Sequence, residues 1–518
     1  MLDFKSTMLL LFFVWLISIS LIKTLFFTKT QSSLKLPHGP PLALPLIGHL
    51  YLFRSLIIHQ ALSNLSTKYG PLFKVKLGSK LFIVASTPEM AKQILKTNEE
   101  FCPNRPGLIV TEYLTYGASD YIFIPYGPYW RFMKKICMNE LLSGRTIQQF
   151  VWIREEEIEA FLRLILQHTF TGKPLQIRKE LMRLTNNVIS RMTMGKCAGT
   201  NDGVGGGMSK VAQEVGALIG TFNLGDYVGF LRKLGVQAIG RKVKEVHEKL
   251  DTMLEEVMGE HEEARKMMKI MGDHKGERRK DLVEILLDLM EAENSEMKLT
   301  RESAKAFVLE MFVAGTNSSA SLVEWALAEL IRNPKIFSKA REEIDSVVGK
   351  NRVVKESDIP NLPYLQAIVK ETLRLHPPGP LIPRETTRSF KIGEYDVPSS
   401  STLVVNVWAI GRDPNYWDNP LEYWPERFLA KDENLDVRGQ NYKFLPFGSG
   451  RRGCPGASFA LLVVQITLAS MIQCFDWNVV NFGEKKDNEI DMAEDDGVTL
   501  FLAKPLLCRP VPHFVPFS

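Results

Sequence analysis

One cysteine stands in the middle of a glycine-rich turn near the carboxyl end of the chain, in the stretch FLPFGSGRRGCPGASFALL from Phe444 to Leu462. Arg451 and Arg452 precede Cys454, and Pro455 follows it at the start of a helix-like run. Backbone amides, neighbouring cations and the amino end of a helix each lower the pKa of a thiol, which then becomes a thiolate at neutral pH. The residue types therefore predict a soft, electron-donating ligand for a metal.

A single thiolate restricts the kind of metal centre. Zinc sites and iron–sulfur clusters need several protein ligands, whereas the cysteines of this chain are scattered and form no CxxC pair. A haem iron needs one protein ligand on its proximal side. The turn alone leaves a second interpretation open, namely a buried structural cysteine in a glycine loop. The six cysteines are Cys102, Cys137, Cys197, Cys454, Cys474 and Cys508.

Glycine and hydroxyl residues also interrupt a long helical pattern that runs from Phe312 to Leu330. The sequence GTNSS, residues 315–319, stands in its middle. A glycine costs about 1 kcal/mol in a helix interior, and serine and threonine hydroxyls compete for backbone carbonyls. The pattern predicts a break or a widening of the helix at this point.

Together these features resemble the cytochrome P-450 haem-thiolate monooxygenases. The turn matches the haem-binding signature of that family at Phe447, Gly450, Arg452, Cys454 and Gly456. The resemblance implies haem (heme b) as cofactor, with Cys454 as the ligand of its iron and with Phe447 and Arg452 among the cofactor-binding residues. Electron donation from the thiolate then favours cleavage of the O–O bond of oxygen.

Two further sequence elements occur in the order expected of this family. By resemblance, Glu371 and Arg374 of KETLR and Arg427 of PERF form a buried charged network behind the haem. An isolated Glu-x-x-Arg pair on a helix is more often a surface ion pair. A buried triad is tolerated only when its charges are fully paired, so its predicted role is structural.

The resemblance also predicts contacts with the haem propionates. Trp130 and Lys134 lie in YGPYWRFMKK, where many relatives have arginine instead of the lysine, and Arg384 lies in PLIPRET. These three residues are predicted to bind the cofactor together with Arg452. Taken alone, Trp130 would more often be a core aromatic residue and Arg384 a surface charge.

The catalytic prediction concerns the interrupted helix. Family members have Ala/Gly-Gly-x-Asp/Glu-Thr-Thr/Ser at this place, and this chain has Asn317 instead of the acid and Ser318 instead of the threonine. An amide cannot take up and release protons as a carboxyl group does. The predicted catalytic residues are therefore Ser318, which delivers protons together with ordered water, and its neighbours Asn317 and Thr316.

Helical patterns dominate the elements that must position these residues. Apolar side chains recur at three- and four-residue spacing in residues 87–97, 146–167 and 241–269, whereas strand-like alternation is confined to short pieces. The prediction is a mainly α chain with small β-sheets, and by resemblance the P-450 fold with an N-terminal membrane anchor. The strand-like pieces are Pro71–Ser86, FKIGEYDVPSS and TLVVNVWAI, and polar loops are predicted at Gly199–Gly207 and Ile270–Asp281.

The amino terminus predicts attachment to a membrane. Uncharged, mostly apolar residues run from Ser6 to Ile22, which is near the lower length limit for a single span. A cleaved signal peptide is the alternative, but no cleavage site of the A-x-A kind follows. Lysines after the segment place the remaining chain in the cytosol, and the resemblance implies the endoplasmic reticulum. The predicted domains are the anchor at 1–30, a proline-rich strut at 31–50 and the catalytic domain at 51–518.

Length and composition exclude several classes of protein. A chain of 518 residues with 45% hydrophobic and 24% charged side chains can form a large core, unlike a disordered or fibrous protein. The formal net charge of +5, from 64 basic and 59 acidic residues, is too balanced for a nucleic-acid-binding protein. The scattered cysteines favour a reducing compartment.

Finer similarities indicate the substrate class. The stretches LTYGASDYIFIPYG, FNLGDYVGF, LTRESAKAF and FLAKPLLCRPVPHFVPF resemble the triterpenoid 24-hydroxylases among the plant microsomal members, a group related to flavone synthases, isoflavone synthases and pterocarpan hydroxylases. The segments expected to line the pocket are mostly apolar, which suits C-24 hydroxylation of a β-amyrin-type skeleton better than a flavanone with several polar groups. These segments are Leu108–Phe123, Phe307–Thr316, Gly379–Pro383 and Gly497–Phe501.

The implied reaction also requires partners. Two electrons come from NADPH through a membrane-bound NADPH–cytochrome P-450 reductase, which could dock on Lys134, Lys135, Lys443 and Arg451. A solvated basic face is the alternative for each of these residues. The other expected partners are a small apolar substrate and membrane lipid, and no nucleic acid. Two further functions stay open, a flavonoid oxidase with the same cofactor and a non-catalytic haem or ligand carrier.

Overall fold

The computed structural model describes most of the chain. The predicted anchor at 1–30 lies outside the described residues except for five positions, as does most of the predicted polar loop at 270–281. Two helices among the described residues are long and apolar enough to cross a membrane, and both are mostly buried in the protein, as core helices are. The described residues are 34–53, 57–117, 119–196, 204–221, 223–228, 240–271, 280–292, 297–430, 435–480 and 489–516, with Met8, Phe12, Val14, Trp15 and Ser18.

Helices make up most of the described secondary structure, which confirms the mainly α class. The helices are α1 (Ile58–Tyr69), α2 (Pro88–Lys92), α3 (Ile109–Leu114), α4 (Pro128–Ile136), α5 (Gly144–Gln149), α6 (Val151–Thr171), α7 (Ile177–Met194), α8 (Val204–Gly220), α9 (Leu224–Tyr227), α10 (Arg241–Met271), α11 (Leu282–Glu291), α12 (Arg301–Arg332), α13 (Pro334–Val348), α14 (Pro363–Leu375), α15 (Val407–Ile410) and α16 (Ala457–Cys474). The 3₁₀ turns are Leu50–Phe53, Glu99–Phe101, Glu356–Asn361 and Pro425–Phe428, and the π-helical turns are Gln93–Thr97 and Cys137–Leu141.

The described strands form three small sheets. The largest has the order β1-β2-β7-β4, in which β2 and β7 are parallel and the other two pairs antiparallel. An antiparallel sheet of order β3-β9-β8 and the hairpin β5-β6 complete the set. The strands are β1 (Leu72–Leu77), β2 (Lys80–Ala85), β3 (Leu175–Gln176), β4 (Leu381–Glu385), β5 (Phe390–Ile392), β6 (Tyr395–Val397), β7 (Thr402–Asn406), β8 (Phe475–Val479) and β9 (Leu507–Pro512).

The chain divides into two compact units. The smaller unit comprises residues 1–109, 222–238 and 381–409, and the larger unit comprises 110–221, 239–380 and 410–518. The largest sheet belongs to the smaller unit, whereas α12 and the cysteine turn belong to the larger unit.

The core of the smaller unit lies between α1 and the largest sheet. Leu62 of α1 packs with Phe73, Val75, Val84 and Val404, which come from β1, β2 and β7. Alternate residues of a strand point to the same face, so these apolar positions form one surface on which the helix lies.

The proline-rich segment is hydrogen-bonded to the smaller unit. The carbonyl of His38 accepts from the N–H of Lys74 at 2.8 Å, and the carbonyl of Lys35 accepts from the N–H of Asp396 at 2.8 Å. A Cβ at Gly39 would overlap the carbonyl oxygen of Lys74. Glycine therefore allows the segment to approach β1 closely.

The long helix α12 is central to the larger unit. It contacts α7, α8, α14 and α16. Most of its side chains are buried, as expected for a core helix. Thr300 caps its first turn by accepting a hydrogen bond from the N–H of Ser303, which satisfies one of the free amides at a helix start.

The predicted break or widening of α12 is wrong, because the helix is continuous from Arg301 to Arg332. Gly315 lies where α7 approaches, and a Cβ there would be 3.0 Å from the side chain of Ile189. The hydroxyl of Ser318 donates to the carbonyl of Ala314 at 2.7 Å without interrupting the helix. Tertiary packing of this kind offsets a low intrinsic helix propensity.

Three other predicted boundaries differ from the structure. The strand-like TLVVNVWAI ends as a strand at Asn406, because the Oδ1 atom of this residue accepts from the N–H of Ala409 at 3.0 Å and starts α15. The helical pattern of residues 146–167 is divided at Phe150 into α5 and α6. The predicted loop at Gly199–Gly207 ends in helix α8, where Gly207 allows contact with the side chain of Met253 on α10.

Candidate active site

Cys454 lies in a tight turn that leads into α16. Gly448 and Gly450 have φ angles of 73° and 71°, a conformation that favours glycine. The N–H of Cys454 donates to the carbonyl of Phe447 at 2.8 Å, which closes the turn. A Cβ at Gly456 would be 4.0 Å from the sulfur, so the start of α16 lies beside the thiol.

Exposure distinguishes Cys454 from the other described cysteines. Cys454 is exposed, whereas Cys102, Cys137, Cys474 and Cys508 are buried. Burial raises the pKa of Cys102, Cys137 and Cys474 to about 12, and it also raises the pKa of Cys508. These buried groups therefore remain neutral thiols at physiological pH. Cys197 lies outside the described residues.

Arg452 and Trp130 lie together behind the cysteine turn, and both are buried. The Arg452 guanidinium lies 4.7 Å from the centre of the Trp130 ring. It also donates to the carbonyl of Ile124 at 2.6 Å and to that of Ile122 at 3.2 Å. The Nε1 atom of Trp130 has no hydrogen-bond partner among the described residues. A buried donor of this kind fits an acceptor such as a propionate of a cofactor.

Lys134 connects α4 to the same turn. Its Nζ atom donates to the carbonyl of Arg451 at 2.6 Å and lies 5.2 Å from the centre of the Trp130 ring. The structure therefore places Lys134 beside Trp130, as the sequence predicts, but its ammonium group binds a backbone carbonyl. Its role as a propionate contact stays a prediction.

Arg384 lies on β4 of the smaller unit. Its side chain is buried, and its guanidinium donates to the carbonyl of Pro383 at 2.9 Å. On the neighbouring strand β7, Leu403 stands opposite. Its predicted contact with the haem stays a prediction.

Glu371, Arg374 and Arg427 form one buried cluster. Arg374 binds both carboxylate oxygens of Glu371, at 2.7 and 2.8 Å, and Arg427 donates to the same carboxylate at 3.1 Å. Neither Glu371 nor the Arg374 side chain has exposed surface. The remaining donors of Arg374 reach the carbonyls of Gly411, Pro420 and Glu422. One carboxylate is thus shared by two guanidinium groups, and backbone carbonyls accept their remaining hydrogen bonds, including that of Asp418 with Arg427 at 2.9 Å, so the buried charges are hydrogen-bonded.

The predicted catalytic residues lie on the part of α12 that is least buried. Side chains are buried at Ser303–Glu310 and again at Ser319–Leu330, whereas Ala314 between them is exposed. The hydroxyl of Thr316 is buried and has no partner among the described residues. The amide nitrogen of Asn317 would be 3.6 Å from a Cβ at Gly216 of α8. The three predicted residues therefore differ. The Ser318 hydroxyl is bonded to the helix, Asn317 lies near α8, and the Thr316 hydroxyl has no partner in the part of the chain that the structure describes.

Sequence reasoning missed one buried acid on the same helix. Glu310 accepts a hydrogen bond from the N–H of Ile122 at 2.7 Å. Burial, and then the charge of Asp120, raise the pKa of Glu310 well above its usual value, which favours its neutral form. The N–H of Ile122 thus donates to Glu310, and the carbonyl of Ile122 accepts from Arg452. An acid within the apolar stretch AFVLEMFVAG is the signal that could have identified it.

Comparisons with known proteins identify the relatives of this chain. The sequence profile described as Cytochrome P450 matches residues 37–506. The chain is 58% identical to the β-amyrin 24-hydroxylase of Glycine max, with 100% of both chains covered. It is 47% identical to the 3,9-dihydroxypterocarpan 6A-monooxygenase of Glycine max, with 96% of this chain and 98% of the relative covered. It is 40% identical to the 2-hydroxyisoflavanone synthase of Glycyrrhiza echinata, with 93% of each covered.

The fold is also similar to that of a solved structure. A zebrafish cytochrome P450 determined with abiraterone has a TM-score of 0.72 and 25% sequence identity, and the match covers 88% of this chain and 100% of that one. The similarity extends the relationship from sequence to three-dimensional structure.

The described residues fit the cofactor of these proteins, haem b bound through a cysteine thiolate. Cys454 supplies an exposed thiol beside a helix start, and Trp130 supplies a buried donor without an acceptor among the described residues. The exposed side of α12 around Ala314 is the part of the helix open to a ligand. The chain belongs to the cytochrome P450 family and is a haem-thiolate monooxygenase.

Proposed function

We propose that the enzyme hydroxylates a β-amyrin-type triterpenoid at C-24, in a soyasaponin-type biosynthesis. The observation that carries the proposal is the 58% identity with a β-amyrin 24-hydroxylase over the whole chain. Identity with the pterocarpan and isoflavanone enzymes is 47% and 40% over slightly shorter alignments. Asn317 also supports a triterpenoid substrate, because the flavonoid-acting relatives are expected to have an acid at this position.

The polar groups of one predicted pocket segment also support an apolar substrate. Thr111, Thr115 and Asp120 are buried. The Thr115 hydroxyl donates to the carbonyl of Thr111 at 2.8 Å, and Asp120 accepts from the N–H of Phe123 at 3.1 Å. The Thr115 hydroxyl and one Asp120 oxygen are therefore engaged within the segment and do not serve the several polar groups of a flavanone, whose burial without partners is costly. A triterpene with one or two oxygens gains about 25 cal/mol per Å² of buried apolar surface instead.

In the proposed site, the chain's residues hold and orient the cofactor. Cys454 ligates the iron, while Arg452, Trp130, Lys134 and Arg384 bind the propionates. When bound, the haem activates O2 and supplies the oxidant for an unactivated C–H bond. Phe447 belongs to the same turn, because its carbonyl accepts from the N–H of Cys454.

Residues of α12 would supply protons. Ser318 is the proposed donor, acting with ordered water, and the unengaged hydroxyl of buried Thr316 offers a second position for such a water chain. Asn317 cannot replace the missing acid because an amide does not titrate in this pH range. The Glu371, Arg374 and Arg427 cluster would fix α14 and the segment around Arg427 without taking part in the reaction.

Electrons would arrive from NADPH through a reductase in the same membrane. Lys134, Lys135, Lys443 and Arg451 form the proposed docking surface, since complementary charge guides such encounters. The predicted anchor at 1–30 would hold the enzyme in the membrane of the endoplasmic reticulum with its catalytic domain in the cytosol.

A flavonoid oxidase is the second candidate function. The pterocarpan and isoflavanone enzymes among the relatives favour it. Feeding β-amyrin, sophoradiol and naringenin to yeast microsomes that contain the full chain and a plant reductase tests both candidates. We expect a C-24 hydroxylated triterpenoid, identified by mass spectrometry and NMR. Conversion of naringenin without turnover of either triterpene would contradict the proposal.

The same microsomes also distinguish an enzyme from a non-catalytic haem or ligand carrier. An active monooxygenase consumes NADPH in the presence of its substrate and forms product in proportion. We expect both, whereas a carrier would bind the triterpene without product and without substrate-dependent NADPH consumption.

A further inference from the structure

We propose that Trp325, acting with Ser321, positions the carboxyl-terminal pocket segment and so determines which carbon of the substrate is oxidised. The proposal rests on the proposed function and on the expectation from the sequence that Gly497–Phe501 and Gly379–Pro383 line the substrate pocket. Trp325 and Ser321 belong to neither segment. Both lie on α12 and are completely buried, so they would act through the backbone that they hold.

The backbone of Leu500 is bonded on both sides. Its carbonyl oxygen accepts hydrogen bonds from the Ser321 hydroxyl and from the Nε1 atom of Trp325, the latter at 2.9 Å. Its N–H donates to the carbonyl of Pro378 at 3.0 Å. Leu500 is itself fully buried. A buried N–H or carbonyl group without a hydrogen-bond partner is costly. These bonds therefore fix the orientation of the Leu500 backbone, and with it the position of the neighbouring residue Thr499.

The ring of Trp325 also contacts the residue that precedes the second pocket segment by three positions. It stacks on the imidazole of His376, with ring centres 3.9 Å apart and planes inclined by 4°. The Nε2 atom of His376 lies 2.8 Å from a carboxylate oxygen of Glu329, one turn further along α12. Residues 377–380, PPGP, follow His376 directly. Because proline restricts the backbone, the direction of this segment depends on how His376 is held.

Other bonds hold the base of the carboxyl-terminal segment. Glu494 pairs with Arg412 at 3.3 Å, and the N–H of Asp495 donates to the carbonyl of Phe501 at 3.0 Å. At the tip between these residues, Val498 is 58% exposed. Leu500 therefore lies between the bonded residue Phe501 and the exposed residue Val498, which is accessible to a ligand.

The same helix carries the proposed proton donor. Ser321 and Trp325 follow Ser318 by about 5 Å and about 10 Å along the helix axis, from the rise of an α-helix. A single continuous element therefore sets the distance between the proton donor and the substrate-facing segment. A small change at Leu500 would shift the substrate relative to the oxidising centre, to which regiochemistry is sensitive.

The test uses the full chain with reductase in yeast microsomes and three variants, Ser321→Ala, Trp325→Phe and the double variant. Trp325→Phe keeps a flat ring beside His376 but removes the N–H donor, and Ser321→Ala removes the other donor to Leu500. The matched control is Trp477→Phe, because Trp477 is also buried and its Nε1 atom donates to a backbone carbonyl, that of Met471 at 3.4 Å.

We expect the double variant to retain the carbon monoxide spectrum of a thiolate-ligated haem. It should bind β-amyrin about fivefold more weakly, measured by the haem absorbance shift, as expected for a lost hydrogen bond. It should also give a changed ratio of oxidised products, with smaller changes in the single variants. Trp477→Phe should lower the melting temperature without changing that ratio, which is the behaviour of a purely structural residue.

An unchanged product ratio and affinity in folded variants would overturn the proposal. If the double variant does not fold, the two single variants provide the same comparison. If the wild type oxidises neither β-amyrin nor sophoradiol, the proposed function fails, and binding of clotrimazole and imidazole then tests the positioning role by itself. Weaker binding of bulky clotrimazole with imidazole binding retained would support it, and equal changes for both ligands would overturn it.

Discussion

At the scale of single residues, the assignment of the iron ligand rests on the exposure of one thiol. Cys454 is exposed beside the start of α16, whereas Cys474 is buried and burial raises its pKa to about 12. Cys454→Ser should abolish the carbon monoxide spectrum typical of a thiolate ligand, because a serine hydroxyl remains protonated and donates little charge to iron. Difference spectroscopy of microsomes measures this. Cys474→Ser is the matched control and should keep the spectrum; a normal spectrum in Cys454→Ser would exclude Cys454 as the ligand.

A second prediction at this scale concerns proton delivery. Ser318→Ala should release peroxide while NADPH is still consumed, with product per NADPH falling on the order of tenfold or more, the lower range of effects for a lost proton-transfer group. Product, peroxide and NADPH are measured in the same reaction. Thr316→Val is the comparison, because its hydroxyl is buried without a partner among the described residues. Unchanged coupling in Ser318→Ala with uncoupling in Thr316→Val would move the role to Thr316.

At the scale of secondary-structure elements, the buried charged cluster of α14 predicts how much stability a conservative substitution of Arg374 removes. Arg374→Lys replaces a planar guanidinium that binds both oxygens of Glu371 and three carbonyls. A lysine cannot make these bonds and leaves buried charge unpaired. The free energy of unfolding should fall by about 3–5 kcal/mol, measured by denaturant titration together with haem content.

The matched control for this prediction is Arg332→Lys. Arg332 pairs with Glu329 three residues earlier, at 3.4 Å, and its side chain is 49% exposed. Glu329 is buried, but the Arg332 end of the contact is solvated and lysine keeps its positive charge, so this variant should lose less than about 1 kcal/mol and retain its haem. Equal losses in both variants would show that burial of the Glu371 cluster is not what makes it sensitive.

The contact between α10 and α11 predicts a dependence of stability on pH. Both ring nitrogens of His261 face acceptors, the carbonyl of Val257 at 2.7 Å and the carboxylate of Asp281 at 2.9 Å, and both can donate only when the ring is protonated. Burial lowers the pKa of His261, but the hydrogen bond and charge of Asp281 outweigh it, so the pKa lies above 6.5. The stabilisation is therefore complete below the unfolded pKa of about 6.5 and is lost as the pH rises through the folded pKa.

His261→Gln tests this dependence. The difference in free energy of unfolding between wild type and variant should be largest near pH 6 and should shrink as the pH rises, measured by urea titration. His49→Gln is the control of opposite sign. Burial lowers the pKa of His49, whose Nδ1 atom accepts from the N–H of Lys76 at 2.9 Å, so its contribution is lost as the pH falls. A difference for His261→Gln that does not change with pH would contradict the prediction.

At the scale of the whole molecule, the helical class, the family and its cofactor could be predicted from the sequence, because they depend on local patterns. The spacing of Phe447, Gly450, Arg452 and Cys454 specifies a turn and a ligand within ten residues. The strands at 72–77 and 80–85 fall within the predicted Pro71–Ser86 segment for the same reason. Their alternation of apolar residues needs no distant partner to be recognised.

The tertiary structure decided what depends on distant contacts. Gly315 lies within continuous α12 where Ile189 approaches, and Gly207 lies within α8 where the side chain of Met253 on α10 approaches. The apolar stretch around Glu310 signals a buried acid, but its partner, the N–H of Ile122, is 188 residues away in the chain and is shown only by the tertiary structure.

The sequence by itself determined the family, its haem-thiolate cofactor and the mainly helical class, and it predicts Cys454 as the iron ligand, since each is encoded by residue types at short spacing. Only the tertiary structure decided which polar groups are paired. Among the described residues, the hydroxyl of Ser318 is bonded to its own helix, that of Thr316 has no partner, and Trp325 donates to the carbonyl of Leu500 from a position 175 residues away. Hydrogen-bond partners separated by such distances in sequence are selected by packing, which carries no local signal.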